Sequence, residues 1–186
     1  MKKIICILLA AVALLLAVSC KKDDTEIPKE TEPKEVTEAP KEPVIPEGYM
    51  VFDNTKISFA YPKEWTMKVN KVVDDGKTGN NVTVASEPYT DIYLDMDVKT
   101  FNSTIEYALE MSGMMVSAPS IEQVKNDIGI KMTKISYKVG YNGVPMIQTM
   151  FIVAVGDENY IVTVTEVKSD AELVQNVFNT LNIVKK

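Results

Sequence analysis

This chain of 186 residues carries 26 acidic side chains against 20 cationic ones, a net charge of −6. Every cationic residue is Lys, there is no His, and the two cysteines are Cys6 and Cys20. Without His the commonest general base and metal ligand is missing. Without Arg there is no bidentate clamp for phosphate or carboxylate, and an acidic surface speaks against nucleic-acid binding.

The chain starts with Lys2 and Lys3 and then runs apolar from Ile4 to Val18. A basic start, an apolar stretch too short to span comfortably and small residues at its end make a signal peptide rather than a membrane helix. The run Leu16-Ala17-Val18-Ser19-Cys20 resembles the bacterial lipobox, with Ala17 where Leu is commonest. That resemblance implies that residues 1–19 are removed and that the Cys20 thiol carries a diacylglycerol, whose two acyl chains hold a protein stably on a membrane. Cys6 leaves with the signal, so no free thiol remains for disulfides or thiolate chemistry.

Residues 21–47 hold five of the nine prolines, with five Lys against nine Asp and Glu. Such a segment buries too little apolar surface to offset its ordering entropy, and its prolines keep it extended. It is expected to be a disordered tether that follows the lipidated Cys20. Its start, Lys21-Lys22-Asp23-Asp24, resembles the surface-export signals of some Bacteroidetes lipoproteins. The expected location is extracytoplasmic: the cell surface or the periplasmic face.

From Gly48 to Lys186 the composition is that of one globular domain. Strands are expected at Met50–Phe52, Lys56–Tyr61, Thr66–Val73, Val82–Ser86 and Ile92–Lys99. In the last, Ile92, Leu94, Met96 and Val98 alternate with Asp91, Tyr93, Asp95 and Asp97. Ser103-Thr104-Ile105-Glu106 reads as a capping box for a helix with Ile105, Ala108, Leu109, Ser112 and Met115/Val116 on one face. Ile121–Asp127 leans to strand. Lys131–Tyr141 alternates, Asn142-Gly143 signals a hairpin, and Met146–Val155 and Tyr160–Glu166 continue the β pattern. Ser169-Asp170-Ala171-Glu172 then caps a helix with the stripe Leu173, Val174, Val177, Phe178 and Leu181.

The segment Ile57-Ser58-Phe59-Ala60-Tyr61-Pro62-Lys63-Glu64-Trp65 resembles the opening of PsbP-like domains. Tyr141-Asn142-Gly143-Val144-Pro145, the strand Gln148–Val155, the turn Gly156–Asn159 and Tyr160-Ile161-Val162-Thr163 follow the same plan. The resemblance covers nearly all of residues 48–186. It implies an α+β fold, an antiparallel β-sheet with helices on both faces (an α/β/α sandwich), and no catalytic residue, since the family has no common catalytic set. Its plant members are accessory subunits of photosystem II, and its bacterial members include lipoproteins of unknown role.

Asp91, Asp95 and Asp97, on one face of the expected strand, are the candidate ligands for Ca²⁺ or another divalent ion. A solvated face accounts for them more simply. Asp74-Asp75-Gly76 reads as a turn. Of the ten methionines, Met111, Met114 and Met115 wrap more than one helix face and are the candidate partner-binding patch; Met also fills irregular cores. Trp65 and Pro62 read as core and strand end. The sequence thus points to a membrane-anchored, non-catalytic lipoprotein that binds a protein partner, with a small-ligand or metal-binding module as the alternative.

Overall fold

The computed structural model describes residues 41–68, 72–103 and 115–184. Residues 1–40, which include the expected signal, Cys20 and most of the expected tether, lie outside them, as do Met111 and Met114. Eleven strands form two antiparallel sheets among the described residues. The small sheet has the order β1 (Tyr49–Asp53), β2 (Ile57–Pro62), β11 (Asn182–Ile183). The large sheet runs β3 (Thr66–Lys68), β4 (Val72–Asp74), β5 (Asn81–Pro88), β10 (Glu158–Glu166), β9 (Val144–Val155), β8 (Lys131–Tyr141). Two short strands, β6 (Met115–Val116) and β7 (Ser120–Lys125), share the outer edge of β8: β7 pairs with its first half and β6 with its last residues.

The long hairpins form where alternation and turn chemistry agree. Asn142 and Gly143 both have positive φ (50° and 77°), as a two-residue turn between twisted strands requires, and Tyr141 pairs with Val144 across it. Alternation then sends the two sides of β9 and β10 into two cores. Phe151, Val153, Tyr160, Val162 and Val164 face Phe52, Ile57 and Phe59 of the small sheet. The same core takes in Leu173 and Val177 of helix α2 (Ala171–Thr180) and Leu181 just after it, all fully buried. Burial of each such side chain stabilises by about 1.5–3 kcal/mol. The Ala60 N–H donates to Thr180 Oγ1 (2.8 Å), which fixes α2 on β2. On the opposite face Ile135, Tyr137, Val139, Ile152 and Ile161 pack with Met96 and Phe101.

The expected α/β/α sandwich is not what forms. The layer on one face of the large sheet is itself mainly a sheet, joined by α2. The opposite face carries a 3-10 turn (Asp91–Tyr93) and the four-residue helix α1 (Val98–Phe101). The expected strand Ile92–Lys99 is therefore absent. Its period-2 pattern loses to local caps: the Ile92 N–H donates to Thr90 Oγ1 (3.3 Å) and the Thr100 N–H to Asp97 Oδ1 (2.7 Å). Side chains that satisfy the backbone locally compete with a ladder. Thr66–Val73 is divided as well, into β3 and β4 paired antiparallel. Most of the helix expected from Ser103 lies outside the described residues, but Met115 and Val116 belong to a strand, paired with Gly140 and Val139. No helix among the described residues is long and apolar enough to cross a membrane.

Candidate functional site

One end of the large sheet gathers the end of β5, the end of β7, the start of β8, the end of β9 and the start of β10. A cavity of about 600 Å³ opens there. Its apolar wall comes from Leu94, Val124, Ile130, Met132, Ile152 and Ile183, with Tyr89 and Tyr93 beside them. Tyr89 and Leu94 of this lining are exposed at 49% and 56%. Among the described residues Lys125 and Lys131 are the charged residues of the lining, with no Asp or Glu beside them.

A small polar network holds the 90–94 segment against the sheet. Gln123 Nε2 donates to the Tyr93 carbonyl and to Thr133 Oγ1 (both 2.9 Å), and Thr133 Oγ1 donates to the same carbonyl (2.7 Å). Asn159 Nδ2 donates to the Thr90 carbonyl (2.9 Å). The Tyr93 hydroxyl donates to Glu87 Oε1 (2.5 Å). Burial first, then that carboxylate, push the Tyr93 hydroxyl far above its ordinary range, so it stays a hydrogen-bond donor. These groups are engaged with one another. They shape the wall.

On the other side of the cavity, buried Asn126 joins two elements. Its Nδ2 donates to the Phe178 carbonyl (3.0 Å) and the Leu181 carbonyl (2.7 Å) at the end of α2. Its Oδ1 accepts from the Ile130 N–H (2.9 Å), closing the β7–β8 turn.

A second hollow of about 430 Å³ lies between Glu64, Trp65, Asp75, Lys77, Asn80 and Lys168. Its polar groups close a turn, as expected for Asp74-Asp75-Gly76. Asp74 Oδ1 accepts from the Gly76 N–H (3.0 Å), and Asp75 accepts from the Lys77 and Thr78 N–H groups and the Thr78 hydroxyl. Burial acts to raise the Asp75 pKa, but these hydrogen bonds outweigh it and hold the carboxyl below its ordinary value. Buried Asn80 accepts from the Val167 and Lys168 N–H groups (2.9 Å each), and Trp65 is part of the first core.

The three aspartates singled out for a metal do not share a strand face. Asp91 opens the 3-10 turn, and Asp97 caps α1. The Thr100 backbone N–H and then its hydroxyl hold the Asp97 carboxyl below its ordinary value. Among the described residues no group of three or more acidic side chains could hold a metal ion. Of the methionine patch, Met111 and Met114 lie outside the described residues and Met115 is placed only as part of β6. Sequence reading missed the cavity. Its signal was present: a hairpin closed over residues 126–130 sets Lys125 opposite Lys131.

No family model and no curated protein matches the chain, so the PsbP-like resemblance rests on its motifs alone. Solved structures similar to it include a Bacteroides thetaiotaomicron protein, at 12% identity and a TM-score of 0.37 over 76% of this chain and 44% of that one. The chain thus spans less than half the length of that protein. LpqN of Mycobacterium tuberculosis, which is involved in cell envelope biogenesis, is similar at 10% identity and a TM-score of 0.39, over 76% of this chain and 82% of that one.

Proposed function

We propose that this chain is an envelope lipoprotein anchored through diacylglyceryl-Cys20, whose domain after Gly48 is a non-catalytic binding module for a protein partner. The observation that carries the anchor is the run Leu16–Cys20, followed at once by a polar, proline-rich segment. In support of a binding role, the chain has no His and no Arg, and processing leaves no free thiol. An acyl-labelling experiment in intact cells tests the anchor. Wild type takes up an alkyne-bearing fatty acid and fractionates with membranes, and Cys20→Ala does neither. Equal labelling of the two would refute it. Crosslinking from the same cells then tests for a protein partner.

A second reading, that the domain binds a small ligand, is favoured by the cavity at the end of the large sheet. Its volume of about 600 Å³ lies in the range of roughly 300–1,000 Å³ typical of small-molecule sites.

A further inference from the structure

We infer that the cavity at the end of the large sheet binds a single-chain anionic amphiphile, a long-chain carboxylate, with its tail along Tyr89, Leu94 and Ile152 and its headgroup between Lys125 and Lys131. The inference rests on the small-ligand reading and names the ligand class.

Three features converge on it. Much of the lining is apolar, and Leu94 and Tyr89 are left half-exposed, which a bound apolar chain would cover. Among the described residues the lining has two cations and no anion. Those two cations face each other: Lys125 and Lys131 are directly paired across β7 and β8. Like charges in that position destabilise a sheet. Neither has a carboxylate partner among the described residues, where Lys68 and Asp74 make the ion pair. The stem of Lys125 lies over Gly129, its Cε about 3.6 Å from where a Gly129 Cβ would stand. A headgroup with one negative charge relieves the repulsion and places its tail in the apolar wall. A cationic or neutral ligand does only one of these.

Both core clusters and every described strand lie after residue 48, so a chain of residues 20–186 bearing Cys20→Ser keeps the whole described fold in soluble form. Calorimetry on it uses octanoate, decanoate, dodecanoate and dodecanol as probes. Each added methylene is expected to tighten binding about fourfold until the cavity is full. Dodecanoate should bind about tenfold more tightly than dodecanol. In the double variant Lys125→Gln/Lys131→Gln that preference falls to about one, while the urea midpoint stays the same or rises, because the like-charge pair is gone. If dodecanol binds as well as dodecanoate in the wild type, the headgroup assignment is overturned and the small-ligand reading survives. If neither binds, both fall, and the acyl-label result on Cys20 is unaffected. A drop in stability of the double variant would show that the lysines serve the fold, and would overturn the inference.

Discussion

Replacing Asn126 by Ala tests whether one buried side chain ties the cavity wall to helix α2. The side chain makes three hydrogen bonds, two to the last carbonyls of α2 and one from the Ile130 N–H. Each contributes about 1 kcal/mol net, and the loss of a buried partner costs more than the loss of both members. Asn126→Ala should therefore destabilise by about 3 kcal/mol. With a urea slope of about 1–3 kcal/mol/M, the midpoint should fall by about 1–3 M. Its exposed neighbour is the control, since Asp127→Ala should stay within about 0.5 kcal/mol. Urea unfolding at one pH, followed by the fluorescence of the buried Trp65, measures both. A change below about 0.5 kcal/mol for Asn126→Ala would refute the reasoning: the helix end and the turn would then be held independently.

Two further outcomes follow from the cores. Phe151 is fully buried, its ring 5.6 Å from that of Phe178, so Phe151→Ala should cost about 3–5 kcal/mol, against under about 0.5 for the half-exposed Tyr89→Ala; equal effects in a denaturant titration would contradict the burial pattern. Tyr137 is buried with its hydroxyl donating to Gln148 Oε1 (2.7 Å), and burial pushes its pKa up to about 12 from 10.0. The unfolded chain loses this proton first as pH rises, so the stability is complete below about pH 10 and declines by about 2–3 kcal/mol toward pH 12. Comparing the pH dependence of unfolding in wild type and Tyr137→Phe checks this, and an equally steep alkaline decline in the variant would be the contrary result.

The sequence was most readable where local chemistry and packing agree. Asn142-Gly143 gave its hairpin, and the stripe Leu173, Val177, Leu181 gave its helix, with Asp170 rather than Ser169 as the cap. It misled at residues 92–99, where alternation suits a strand but Thr90 and Asp97 satisfy the backbone within a turn of chain. That error also misplaced the aspartates and hid the cavity, because the same segment forms its mouth. β11, two residues long, has no pattern of its own and exists through its pairing with Ser58 and Ile57. The convergence of Gln123, Thr133 and the Tyr93 carbonyl spans 40 residues of chain, and no local spacing announces it.

The two short strands along β8 also decide how copies of this protein avoid one another. A long edge such as that of the eleven-residue β8 is a template for pairing with another chain. Here β7 and β6 cover it in turn, and the new outer edge bears exposed Glu122 and Lys125, charges that discourage a further strand. At the far side the sheet ends in β3, three residues long and too short to nucleate a ladder. The small sheet is guarded less well. Its edge strand β1 has five residues, with Met50 and Val51 exposed at 44% and 45%. Among the described residues β1 is thus the edge least protected against strand pairing, and any self-association seen by sedimentation is expected to weaken in Val51→Lys.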